Sequence, residues 1–302
     1  MTTEAMAART DTGTRQTPAG SVAAVRLPEG TLLHDLRGMK IVWERELIRF
    51  FQDRSRIISS LLQPILYLFV LGTGLSTLVS GRTTGGLSLR TFMFPGVLAL
   101  ATMFTAIFSA GSIVWDREFG FLREMLVAPV SRSAIVWGKC LGGATVSTFQ
   151  GVIVLALAGA VGVPYSPTLV LTLIGELLML SFTLTAIGVL VAARMRNIQT
   201  FFAMTQVFLL PMFFLSGSLY PLGNLPTWLH VLTRIDPLTY VVDPMRRAVF
   251  GHLNVSPLVR HTLNPGVTWG TWQVPTLLEL TIVALIGLAM LGLGVVQFRR
   301  TE

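Results

Sequence analysis

WDREFGFLREMLVAPVSRSAIVWGK, residues 115–139, is a charged amphipathic stretch held between two long apolar runs. A chain that only had to turn around could use a short polar loop here. A small helix on the aqueous side instead offers a surface on which another protein can push. Taking 100° per residue, Trp115, Phe119, Leu122 and Leu126 fall within about 60° of one another. Asp116, Arg117, Arg123 and Glu124 cluster on the opposite side. Gly120 lies mid-helix, at a cost of about 1 kcal/mol relative to alanine, which points to close backbone approach or a hinge. Pro129 ends the helix, and Ser131 or Ser133 can cap the next one. Periodicity alone does not separate a docking helix from one lying on the bilayer.

The flanking runs set the fold class. Hydrophobic residues make up 52% of the 302-residue chain and charged residues 13%, with mean hydropathy +0.67. That excludes an ordinary soluble domain and predicts an all-α polytopic membrane protein. Spanning the bilayer takes about 20 apolar helical residues, and six runs qualify: 57–79, 91–115, 140–163, 168–193, 200–220 and 276–298. With six spans both termini share a side. That side would carry 17 of the 23 lysines and arginines, so the positive-inside rule places both termini in the cytoplasm. The net charge of +8 reads as this bias plus attraction to anionic lipid, not as a nucleic-acid surface.

Residues 1–35 read as a flexible cytoplasmic tail without a signal peptide. Leu36, Met39, Trp43, Leu47 and Phe50 form a stripe on an amphipathic interfacial helix over 36–56, with Trp43 at headgroup depth. Pro64 kinks the first span or marks its first turns, and Gln63 and Tyr67 share a face there. Residues 80–90 read as an external loop. Gln199, Gln206, Phe213 and Tyr220, spaced by sevens, lie nearly along one face of span five. That face either lines a path or packs on another helix. Glu176, about eight residues from the outer end of span four, is either a carboxyl in a translocation path or a protonated acid bonded to a neighbouring helix. Glu279 is expected to snorkel to the outer surface.

The 221–275 segment is external. It has short apolar helices starting near Pro226 and Pro237, the second capped by Asp236, and reads as re-entrant or interfacial. Cys140 is the only cysteine, so no intramolecular disulfide forms. The histidines lack metal-site spacing, and no catalytic constellation is assignable.

Asp116-Arg-Glu-Phe-Gly-Phe-Leu-Arg-Glu-Met-Leu-Val-Ala-Pro-Val-Ser-Arg132, followed by Gly138-Lys139, resembles the signature loop of ABC-2-type transporter permeases. Phe214-Leu-Ser-Gly217, Pro221-Leu, Leu225-Pro226-Thr-Trp228-Leu and Pro237-Leu-Thr-Tyr240 with Arg246 resemble the end of span five and the external hairpin of the same family, especially its daunorubicin-exporter-like drug and lipid exporters. The resemblance covers about residues 36–300. It implies that 115–128 is a coupling helix on a separate nucleotide-binding subunit. Asp116, Arg117, Glu118, Phe119, Gly120, Leu122, Arg123 and Glu124 would carry the contact, with Phe119 and Leu122 filling the partner's groove. The 36–56 helix would be the connecting helix, 57–302 the membrane domain and 226–250 the re-entrant pair.

The chain holds no Walker A loop, because Gly138-Lys139 is followed by Cys140 where a P-loop needs Ser or Thr. The chain is thus expected to be a permease and not an enzyme, binding no cofactor itself. ATP and Mg would be used by two copies of an ABC ATPase subunit. A second permease chain, identical or paralogous, is expected in a bacterial plasma membrane. The expected cargo is a hydrophobic or amphiphilic molecule moved outward. Gln63, Tyr67, Glu176, Gln206, Phe213 and Tyr220 are the candidate path residues. The alternative is an ion-coupled secondary transporter using Glu176.

Overall fold

The computed structural model describes residues 32–76, 87–127, 130–223, 225–253, 256–270 and 272–301. Most of the expected N-terminal tail, most of the 80–90 loop and Pro129 therefore lie outside the described residues, as do the side chains of Arg123 and Leu126. The described chain is helical apart from a two-stranded antiparallel hairpin, β1 (Thr268–Trp269) and β2 (Trp272–Gln273).

Helix α1 (Leu32–Gln52) leads into α2 (Arg54–Ile65), a π-helical segment (Leu66–Leu71) and α3 (Gly72–Ser76). Pro64 has no amide hydrogen to give the helix ladder. Just after it, the widened turn hands the Gly72 amide to the Tyr67 carbonyl, five residues back. Pro64 thus precedes a π-helical register change rather than a break. Helix α4 (Leu89–Glu118), α5 (Phe121–Val127), α6 (Arg132–Leu155), α7 (Pro167–Ala192) and α8 (Ile198–Leu215) follow. The last elements are α9 (Thr227–Ile235), α10 (Thr239–Gly251), α11 (Pro257–Leu263) and α12 (Thr276–Thr301).

Among the described residues five segments are long and apolar enough to cross a membrane: Ile57–Ser76, Leu89–Glu118, Pro167–Ala192, Ile198–Leu215 and Thr276–Arg300. The expected third span corresponds to α6. Its Gly138, Gly142, Gly143, Ser147, Gln150 and Gly151 dilute its hydropathy but let neighbours approach closely. A Cβ on Gly138 would lie 2.7 Å from the Met39 carbonyl oxygen, and one on Gly142 would lie 2.7 Å from the Glu46 Cβ. Helix α1 therefore docks on α6 with Gly38, Val42, Glu46 and Phe50 buried. Of the expected stripe, Phe50 is on this packed face, Met39, Trp43 and Leu47 are half-buried and Leu36 is exposed. Trp43 donates its indole N–H to Thr145 Oγ1 at 3.1 Å, which ties it to α6.

Helix α4 is the hub, packed against α6, α7, α8 and α10. Its span is 78% buried, against 17% for Ile57–Ser76 and 22% for Ile198–Leu215. The first and fifth spans, like Thr276–Arg300 at 28%, thus have few residues fully buried by this chain. Helix α10 is folded in against α4, α7 and α12. Helix α9 instead exposes Trp228, Val231 and Ile235. Between them Asp236 braces the turn, accepting from the Leu238 amide at 3.1 Å and the Thr239 hydroxyl at 3.2 Å, while the cap position of α10 falls on Leu238 and not on the expected Asp236. Burial pushes the Asp236 carboxyl up to about 7.

Candidate functional site: a stapled coupling segment

The expected single helix over 115–128 is two helices. Helix α4 runs on to Glu118 and α5 begins at Phe121. Gly120 sits between them with φ +84°, a left-handed conformation that suits glycine. An added Cβ there would meet nothing within 4 Å. Gly120 is therefore a hinge residue, and close approach is not its reason. Its amide bonds the Arg117 carbonyl at 3.3 Å and the Phe119 amide bonds the Trp115 carbonyl at 3.1 Å, which closes the end of α4.

Splitting the helix redistributes the charged residues: Asp116 is buried, Arg117 is half-buried, and Glu118 stays exposed while bonding within the chain. Asp116 is 2% exposed. It accepts from Lys139 Nζ and, at 2.5 Å, from Arg45 Nη2. Lys139, itself buried, also donates to Glu46 Oε1 at 2.7 Å and to Ser112 Oγ at 3.0 Å. One buried ammonium thus ties α1, α4 and α6 together. Both carboxylates and the ammonium have charge-assisted partners, the condition under which such burial is tolerable.

Arg117 reaches the C-terminal end of α7. Its guanidinium donates to the carbonyls of Ala192 at 3.1 Å, Ala193 at 3.4 Å and Met195 at 2.5 Å. A cation at a helix C-terminus satisfies carbonyls that the helix cannot pair and complements its dipole. Glu118 Oε2 accepts the Ile198 amide at 2.9 Å, at the first turn of α8. There Asn197 supplies the cap, accepting from Gln199 and Thr200. Two successive residues at the foot of α4 therefore clamp the end of α7 and the start of α8. Helical phase cannot reveal these contacts, because the helix ends involved are contributed by residues 75 to 80 positions away.

Of the expected groove-filling pair, only Phe119 is available. It is 57% exposed and stacks on Trp115, ring centroids 5.0 Å apart. Leu122 is 2% exposed and belongs to the core, so it corrects the expectation of a partner contact. Phe121, 49% exposed, was not singled out from sequence. The Gly120 hinge turns it outward, and a left-handed glycine before a new helix is the signal that reveals it. Glu124 is exposed beside it. The tip thus presents Trp115, Phe119, Phe121 and Glu124.

Five of the six candidate path residues share one flank of the bundle. Gln63 and Gln206 line a cavity of about 390 Å3 between α2, α4 and α8, together with Ser59, Ser60 and Thr105. Tyr67 meets Phe213 edge-on, with centroids 5.8 Å apart. Tyr220 lies past the end of α8 and donates to the Phe214 carbonyl at 2.8 Å.

Glu176 is elsewhere. It is buried in α7 within electrostatic reach of Glu279. Glu279, expected to snorkel, is fully buried and accepts from Arg247 Nη2 at 3.2 Å, while Arg247 also bonds Asp243 at 2.5 Å. The short length of glutamate and the docking of α10 over α12 hold this carboxyl inside.

The sequence profile of the ABC-2 type transporter family matches residues 37–250. The chain is similar to the putative transport permease ycf38 of Cyanophora paradoxa, 28% identical over 209 residues, 68% of this chain and 72% of that protein. It is also similar to the probable multidrug ABC transporter permease YbhR of Escherichia coli K12, 31% identical over 159 residues, 52% of this chain and 43% of that protein. Nodulation protein J of Rhizobium leguminosarum bv. trifolii is 29% identical over 217 residues, 70% of this chain and 80% of that protein.

Proposed function

The chain belongs to the ABC-2 type transporter family, and from that premise we propose how this membrane permease is driven. Family membership makes it the multi-pass transmembrane subunit of an ABC transporter and implies an ABC ATPase partner. The Trp115–Val127 segment receives the motion of that partner, which binds and hydrolyses ATP with Mg. Two ATPase subunits act on two permease chains, identical or paralogous. Six spans, with α6 as the third and both termini in the cytoplasm, cross the bacterial plasma membrane. Residues 36–56 form the connecting helix, 57–302 the membrane domain and 226–250 the external re-entrant pair.

The observation that carries this reading is the double clamp of Arg117 and Glu118 on α7 and α8. A push on Phe119 or Phe121 enters α4 directly and reaches the inner ends of two more spans through charge-assisted hydrogen bonds. Stiff helices joined at their ends move as rigid bodies, the form of transition that ATP-driven closure requires. A soft polar loop would dissipate the push.

The cargo is hydrophobic or amphiphilic and moves outward. Its path runs along the flank of Gln63, Tyr67, Gln206, Phe213 and Tyr220, and two chains facing each other enclose it. The sparse cover on the first and fifth spans supports this. The name of YbhR, a multidrug permease, agrees with such a cargo. Glu176 is not part of this path, because it sits with Glu279 on α12. The test is reconstitution with the partner ATPase in vesicles. Transport driven by ATP and Mg without an ion gradient is expected. Transport driven by a proton gradient without ATP would overturn the proposal in favour of an ion-coupled carrier.

A further inference from the structure

A second cavity, of about 500 Å3, opens between α1, α4, α6 and the start of α8, at the end of the bundle that carries the coupling segment. It lies within the size range of small-molecule sites. Its interior is apolar, formed by Phe50, Phe108, Val146, Ile198 and Phe202, with Trp115 at the mouth. Trp115 is 43% exposed, as expected for a tryptophan at headgroup depth.

The three charged groups that line it come from the α1 side, Glu46, Arg49 and Asp53, while α4 adds Ser109 and Ser112. These three differ in what they have left to give. Glu46 is buried and bonded to Lys139 at 2.7 Å. Asp53 accepts from Ser55 Oγ at 2.8 Å. Arg49 reaches Asp116 Oδ1 only at 3.7 Å, too far for a hydrogen bond, and its side chain is 44% exposed. Asp116 is meanwhile held by Lys139 and Arg45. The rim therefore offers a guanidinium with donors to spare, while its one buried acid, Glu46, is held by Lys139 and Asp53 lies exposed to solvent. A guanidinium fork suits a phosphate.

We propose that this cavity binds a phosphate-bearing amphiphile from the inner leaflet, its apolar chain among Phe108, Val146 and Phe202 and its phosphate on Arg49. The apolar interior selects a lipid over free phosphate, which would leave the rings unfilled. The site adjoins the Trp115–Phe119 stack, so an occupant touches the segment that receives the ATPase. The inference rests on the proposed membrane orientation. It is tested on binding alone, without the ATPase, so its failure leaves the coupling proposal standing.

The experiment titrates the purified full chain in amphipol with dioctanoyl phosphatidic acid and follows tryptophan fluorescence. Saturable binding is expected, with dioctanoylglycerol and inorganic phosphate each at least about tenfold weaker, the scale of one charge-assisted contact. Arg49→Gln should weaken phosphatidate at least about tenfold, and Arg49→Lys, a point charge without the fork, should fall between the two. Equal melting temperatures of the variants would show that the fold is intact. Equal binding of dioctanoylglycerol, equal binding of inorganic phosphate, preference for dodecyltrimethylammonium, or an unaffected Arg49→Gln would each overturn the inference.

Discussion

Replacing Lys139 by methionine removes the ammonium that joins three helices while keeping most of the side-chain volume. Glu46 loses its 2.7 Å bond and keeps only Arg45, 3.7 Å away. Asp116 loses one of two close cations but retains Arg45 at 2.5 Å. Removing one partner of a buried pair costs about 3–5 kcal/mol. Because Asp116 keeps a partner, the lower end, about 3 kcal/mol, is expected here. Read as thermal unfolding in detergent, at about 2–4 °C per kcal/mol for a large chain, that is a fall of roughly 6–12 °C. Glu46→Leu alone should cost about 1 kcal/mol, since Lys139 keeps Asp116 and Ser112. The double variant Lys139→Met with Glu46→Leu removes the stranded carboxylate and should recover to within about 1–2 kcal/mol of wild type, a coupling visible in a double-mutant cycle. Strict additivity of the two changes, or a Lys139→Met variant that melts with the wild type, would refute the reading of this cluster as a joint.

Other expectations concern single contacts. Arg117→Ala strands three carbonyls at the end of α7 and should cost about 2 kcal/mol, measured by chemical unfolding, with hydrogen exchange rising at residues 190–195. Gly96→Val places a Cβ about where the Ser218 carbonyl oxygen allows only 2.5 Å, and overpacking of this kind should cost about 1–3 kcal/mol, visible in the melting temperature. Asp236 should make the α9–α10 turn pH-sensitive. Its folded value is raised to about 7, so its contribution is fully present below the ordinary carboxylate range and is lost as pH rises through about 7. Exchange protection at 236–241 should fall over that window, and Asp236→Asn should flatten the dependence.

Much of the bundle was legible in the sequence because long apolar runs, caps and prolines act locally. The pair of short helices after Pro226 and Pro237 and the Ser131 cap, which accepts from the Ala134 amide at 3.2 Å, are local signals of this kind. The ionisable residues were harder. Asp116 and Arg117 read as part of a solvent-facing set with Arg123 and Glu124 because helical phase assigns faces, not distant partners, and Glu118 entered through the family resemblance alone. Their partners are Lys139, the end of α7 and the Ile198 amide, all joined through tertiary packing. Likewise Glu279 lies near a helix start, where snorkelling is the local expectation, yet α10 folds over it and supplies Arg247. Gly120 marked the place where one helix becomes two, but its positive φ is set by the loop as a whole.

The central claim is that the Phe119–Phe121 tip transmits the ATPase stroke. Its most direct test is the double substitution Phe119→Asp with Phe121→Asp, since both rings are exposed and neither holds the core. Co-purification with the partner ATPase and ATP-driven transport are measured together. Loss of both, with an unchanged melting temperature of the permease alone, is predicted. Retention of the ATPase and of transport by the correctly folded variant would contradict the claim.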